Sequence, residues 1–485
     1  MNTNRKAWPT LAAAATVVAC GGGGDAETTA GIDARGAPAR VGIAAQGPVS
    51  GFGSVIVNGV RYDTSNANFD VDGQPGSETD LAVGQVVTIT GSTDENGNDA
   101  RAERVSYDDL VEGPVELVDL GTATITVLGQ SVRVNRDTIF DDAFVPSGIE
   151  GVAVGQVVEV SGFVDSTGAA LATYIELVES PSAFELTGKV SQLDSANFTF
   201  VINGLVIDYG SANLEDFPSG APENGQTVEA EGSLGSNAEL VATSVSFKDA
   251  GLGAEAGESV EIEGLITRFV SASDFDVAGI PVTTTGSTTF ADGTASDLAL
   301  DVLVEVDGEL DANGIVVAES IEFEEDATLE LRGRVEATTA NSITLLGVTA
   351  SVSIDTYFVD QSSAGLERFG VGDLAVGDYV EVVGSGAAGA LVLAGVERKD
   401  DAGESALYGP VSSLNDPDFS VVGVTVRTTA ATTFEGADDN GIDAAEFFAT
   451  AAGKAVDVQG SYANGVLEAT DVEIDDTGAS DDDDD

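Results

Sequence analysis

Along this chain large apolar residues alternate with polar ones over short stretches, and the stretches run into glycines. A period of two puts one set of side chains on a single face of a β-strand, so the chain predicts many short, half-buried strands. The pattern is also self-similar, returning roughly every 70 residues, as expected of tandem copies of one small unit.

Three signatures carry the repeat. The first is a strand ending in glycine: Val55 to Gly59, Ile125 to Gly129, Phe200 to Gly204, Phe275 to Gly279, Ile343 to Gly347 and Phe419 to Gly423. The second is Gly84-Gln85-Val86-Val87-Thr88-Ile89-Thr90-Gly91, recurring at 155–162, 225–232, 377–384 and 453–460, with Asp301 replacing the first glycine ahead of Gly308. Apolar pairs such as Val158/Val160 and Val380/Val382 bracket Glu159, Glu229, Glu305, Glu381 and Asp457, which predicts apolar side chains turned inward and acids turned out to solvent. The third sets an alanine three residues before a β-branched residue: Ala102/Val105, Ala172/Ile175, Ala242/Val245, Ala318/Ile321 and Ala469/Val472. The fifth copy departs with Ala394-Gly395-Val396.

Between the second and third signatures lie Asn96-Gly97, Thr167-Gly168, Asn313-Gly314 and Asn464-Gly465, mostly residues that tolerate positive φ and close tight hairpins. Each copy opens with a glycine-led strand at Gly47, Gly113, Gly188, Gly264, Gly333 or Gly409, which makes about five strands per repeat. A polar segment before turns such as Asp80-Leu81-Ala82-Val83-Gly84 suits a short helix or turn between the third and fourth strands. The reading is an all-β protein of six tandem small five-stranded OB-like β-barrel repeats, closure removing exposed edges. An open sandwich or meander is the competing architecture. The repeats are placed at 46–110, 111–181, 182–250, 251–327, 328–403 and 404–476, after a signal peptide (1–19) and a flexible tether (20–45), and before a disordered acidic tail (477–485).

The stretch Gly47 to Tyr62, with Asp80 to Gly84, resembles the repeated domain catalogued as domain of unknown function 5666. The resemblance spans nearly all of Gly47 to Asp475. It implies tandem β repeats on an exported bacterial lipoprotein and brings no catalytic residues.

The N-terminus reads as an address. Arg5 and Lys6 precede an apolar run from Leu11 to Ala19 that is too short to span a bilayer as a helix. Val17-Val18-Ala19-Cys20 resembles the bacterial lipobox, which makes Cys20 the lipidation site and the protein's membrane attachment. Gly21 after the cysteine implies, by the same resemblance, release to the outer membrane, with a periplasmic or surface-exposed body.

Charge and composition then exclude chemistry. Removing Arg5 and Lys6 with the signal peptide leaves 17 of the 19 basic residues against 83 acidic ones, a net charge of −66. Such a field repels phosphate backbones, so nucleic acid is not an expected partner. Histidine is absent and Cys20 is the sole cysteine, so neither Ser-His-Asp nor Cys-His catalysis, nor a zinc site with nitrogen or sulfur ligands, can form. Only hard, oxygen-liganded metals remain.

The acidic turns Asp94 to Asp99 and Asp438 to Asp443 could offer calcium oxygen ligands, but neither has EF-hand spacing, and asparagine with glycine is also what a hairpin needs. No metal site, cofactor site or catalytic residue is assigned, and weak diffuse cation binding is the expectation. The tyrosines share no common repeat position. The Thr-x-Phe elements at Thr138, Thr288, Thr356 and Thr432 read as core. The expected function is non-enzymatic: a structural or adhesion-type cell-envelope lipoprotein with an unknown protein or saccharide partner. The alternative is a saccharide- or calcium-dependent binding module at the cell surface or in the periplasm.

Overall fold

A computed structural model describes residues 40–94, 99–248, 251–324, 327–387, 389–437 and 440–475. Cys20 and the acidic tail therefore lie outside the described residues. Nearly every regular element is a strand; no helix among the described residues is long and apolar enough to cross a membrane.

Barrel 2 shows the common plan. Its five strands are Val111–Asp119, Thr124–Val127, Gln130–Arg133, Val157–Val164 and Ala170–Leu177. The first pairs antiparallel with the second (Val115↔Val127) and with the fourth (Val158↔Gly113). The third pairs antiparallel with the second and parallel with the fifth (Val132↔Ala170), and the fourth and fifth form a hairpin. The order 1-2-3-5-4-1 thus returns to its start, a closed OB-like ring without free edges.

The other copies repeat it. Their third and fifth strands meet in parallel at Ile207↔Leu240, Val282↔Val316, Ala350↔Leu391 and Val426↔Leu467, and barrel 1 closes through a single bridge, Asp63↔Arg101. The inward valines fill each ring. In barrel 2, Val127, Val132, Val158, Val160 and Ile175 are fully buried, each contributing roughly 1.5–3 kcal/mol of apolar transfer.

The signatures acquire physical causes. The closing glycine of the second signature sits at a β-bulge where the two strands come too close for a side chain: a Cβ on Gly162 would stand 2.0 Å from the Leu171 carbonyl oxygen. The glycine ending the first signature lies in the two-residue turn between strands two and three, as at Leu128 (φ 48°) and Gly129 (φ 76°). The threonine of Thr-x-Phe donates to the carbonyl beside the bulge, from Thr138 to Ala172, Thr288 to Ala318, Thr356 to Leu393 and Thr432 to Ala469, each at 2.7 Å. In the fifth copy Leu393 opposes Gly384, so leucine simply replaces the alanine there and Val396 keeps its spacing. The polar segment before the fourth strand holds a 3-10 turn in barrels 1, 2 and 5 and the helix Ala444–Thr450 in barrel 6.

One boundary differs from the sequence reading. The first strand begins at Arg40, so residues 40–45 belong to barrel 1 rather than to the tether. Sequence neighbours are also not always spatial partners. First strands join the barrels two by two: 2 with 3 antiparallel (Val111↔Leu186), 5 with 6 antiparallel (Leu331↔Leu407) and 1 with 4 parallel (Ile43↔Ser259). Backbone hydrogen bonding thus runs continuously through each pair. The pairs also touch one another, for example where Gln361 donates to the Phe140 carbonyl at 2.6 Å and Phe163, Leu171 and Leu265 form a small shared core.

Candidate functional site

The acids expected to face solvent leave their barrels but enter the seams between them. Glu305 is 6% exposed, and Glu159, Glu229, Glu381 and Asp457 are only partly exposed. The reason is topological: the outer face of the fourth strand lies beside the first strand, through which the next barrel docks.

In the seam between barrels 2 and 3, strand register lines up five glutamates. Glu176 pairs with Glu159, Glu159 with Glu112, Glu112 with Glu185, and Glu185 with Glu231. Directly opposed like charges destabilise a sheet unless something neutralises them. Asp109, in the segment entering barrel 2, closes on this row. It is 3% exposed, its Oδ1 has no hydrogen-bond partner, and it groups with Glu112 and Glu159 so that one carboxylate oxygen from each lies within 4.8 Å of the others. From barrel 1, the Tyr107 hydroxyl donates to Glu159 Oε1 at 2.6 Å.

Burial drives the protonation of this group. It lifts Glu159 to about 7 against the opposing Tyr107 hydrogen bond. Burial and then the Glu159 charge lift Asp72 to about 7, and burial with Glu229 lifts Glu185 to about 9. Asp109 rises well above the usual carboxylate range through burial, Glu185 and Glu159. Lys248 reaches the seam, ion-paired to Asp108 and Glu229.

A second group, Glu261, Glu305 and Asp307, occupies the seam between barrels 1 and 4, where burial and these three acids push up the enclosed Tyr62 hydroxyl.

The seam between barrels 5 and 6 is built on the same register but is filled with cations. Arg332 stands 2.9 Å from Glu330 and 2.7 Å from Glu381; Lys399 bonds Glu381 at 3.0 Å and Glu397 at 3.2 Å. Arg136 crosses from barrel 2 to lie 3.3 Å from the Tyr408 ring centroid and 3.0 Å from Glu330. Burial would raise Glu381, yet Lys399 and Arg332 hold it below its ordinary value.

A cleft of about 330 Å³ opens where barrels 1, 2 and 5 meet, with Phe52, Phe140, Tyr174 and Phe358 on its walls beside Asp141 and Arg368.

The calcium candidates taken from sequence do not form sites among the described residues. Residues 95–98 and 438–439 lie outside them. Asp99 is held by Arg40 and Arg101 at 3.0 Å each, and Asp443 caps the helix Ala444–Thr450, accepting from Glu446 N at 2.9 Å. Tyr62, Tyr107, Tyr174, Tyr209, Tyr379 and Tyr408 are buried, in keeping with core packing. Sequence reasoning did not single out Asp109 and Glu112. The available signal was position: Glu112 precedes an opening glycine, as Arg332 does in the fifth copy.

A family model described as Domain of unknown function (DUF5666) matches the chain six times, at residues 46–106, 112–176, 187–246, 263–322, 332–394 and 408–473. No curated protein matches it.

Proposed function

Since this chain belongs to the family of the domain of unknown function 5666, we propose that it is a non-enzymatic, structural or adhesion-type lipoprotein of the cell envelope, held at the outer membrane through Cys20. The observation carrying this reading is that strand pairing and buried seams join the barrels into one acidic body, with the recurrent carboxylates placed at joints rather than around one reacting centre. Such a body suits presenting a fixed surface. Radiolabelled palmitate should enter the wild-type protein and not Cys20→Ala, and only the wild type should fractionate with outer membranes. Equal release of both proteins into the soluble fraction, or robust turnover of any offered substrate, overturns the reading.

The three-barrel cleft favours a second reading, a saccharide-binding surface, because aromatic faces beside polar groups suit sugar rings. A glycan array probed with the whole protein and with Phe52→Ala tests it: retention weakened by the substitution supports the cleft, and no retention removes it.

A further inference from the structure

The seam between barrels 2 and 3 carries an inference that does not depend on membrane anchoring. Three carboxylates, Asp109, Glu112 and Glu159, converge where barrels 1, 2 and 3 meet, and the Asp109 side chain is almost fully enclosed with Oδ1 unpartnered. A buried carboxylate without a partner is disfavoured unless a proton or a cation neutralises it. Lys248 does not fill this role, because its ammonium is committed to Asp108 and Glu229.

We propose that Asp109, Glu112 and Glu159 form a binding site for a hard divalent cation of the calcium class, which ties barrel 2 to its neighbours. The donor set is oxygen only, the chemistry calcium prefers, and a chain without histidine or available thiolates has no softer ligand to offer there. Tyr107 orients the site by donating to Glu159 Oε1. It is a positioning residue, reaching from the last strand of barrel 1 (Arg101–Tyr107), so a bound ion links two barrels through one glutamate. The neighbouring Asp72 and Glu176 add negative potential and strengthen attraction for a cation.

The seam between barrels 5 and 6 supplies the internal control. At the position of Glu112 it carries Arg332, and there protein cations occupy the space. Guanidinium and ammonium groups neutralise the acids of that seam, whereas Lys248 is held by Asp108 and Glu229 and leaves the Asp109 group to a bound ion.

The test is calorimetric titration of the whole chain with calcium chloride at pH 8 after removal of metals by chelator. A saturable heat is expected, abolished in Asp109→Asn and weakened at least tenfold in Glu112→Gln, whose side chain is the more exposed and whose fold is the safer. In chelator, Asp109→Asn should melt at or above the wild-type temperature, because it removes a repelling charge. Terbium gives an independent readout: tyrosine-sensitised emission should saturate with added terbium, be displaced by calcium and be lost in Asp109→Asn. An absent saturable heat, or heats unchanged in both carboxylate variants, overturns the site. So does a melting temperature that rises only with acidification and ignores calcium, which would mean that protons alone neutralise the seam.

Discussion

The seam joining barrels 2 and 3 and the seam joining barrels 5 and 6 have one backbone plan and opposite electrostatics. Across five paired strands the first reads Glu176, Glu159, Glu112, Glu185, Glu231, whereas the second reads Glu397, Glu381, Arg332, Ala406, Gln459. Strand pairing therefore sets how barrels dock, and charge is decided separately, one position at a time. Arginine in the middle of the row converts repulsion into a network spanning Glu330, Glu381 and Glu397 through Arg332 and Lys399. Glutamate at the same place leaves a group that needs a proton or a metal.

The comparison breaks most sharply at its central cation. Arg332→Ala removes one of two cations from each of Glu330 and Glu381, leaving Arg136 and Lys399, and should cost about 3 kcal/mol in denaturant unfolding, the low end for breaking a buried pair. A loss near zero would mean that water already solvates these acids and that the two seams do not differ.

Acidity sharpens it next. Glu159 has its folded pKa raised from 4.5 to about 7, so the folded state holds the proton more tightly than the unfolded chain. Its contribution, about 3 kcal/mol, is complete below the unfolded value and is lost as pH rises through about 7. Glu381 is lowered, so its contribution is present above the ordinary carboxylate range and lost as pH falls below it. In chelator, hydrogen exchange corrected for intrinsic rate should therefore accelerate more at 111–115 than at 330–333 between pH 5 and pH 9, because burial and Glu381 raise Glu330 but Arg332 and Arg136 oppose that rise. Parallel responses in the two segments would contradict the assignment.

The smallest effect transplants one seam into the other. Glu112→Arg places a guanidinium where Arg332 stands in the fifth copy and should stabilise the metal-free protein at pH 8 by about 1 kcal/mol while removing any calcium response. Destabilisation in thermal melts would show that the seam has no room for the longer side chain.

How much of this is legible in the residues varies with distance along the chain. The glycine after Leu128 is legible as a strand end, because a positive φ is set within a few residues, whereas the glycine after Val160-Ser161 is legible only as a recurring position, its bulge requiring the Leu171 carbonyl of the next strand. The Thr138 hydroxyl is read as core from sequence, yet its partner, the Ala172 carbonyl, emerges only when the fifth strand lies beside it. Glu159 is correctly turned out of its barrel by the valines on either side. That the space outside belongs to barrel 3 and to Tyr107 is nowhere encoded within its own strand.

The sequence by itself determined the repeat number, the strand periodicity, the hairpins and the all-β class, since these follow from local sterics and from alternation of apolar and polar residues. Only the tertiary structure decided that barrel 1 pairs with barrel 4, that first strands form the joints, and that five glutamates meet in one row. Docking depends on the match of whole faces brought together from far apart in the chain, and burial turns a charge that looks harmless on a strand into one that must be neutralised.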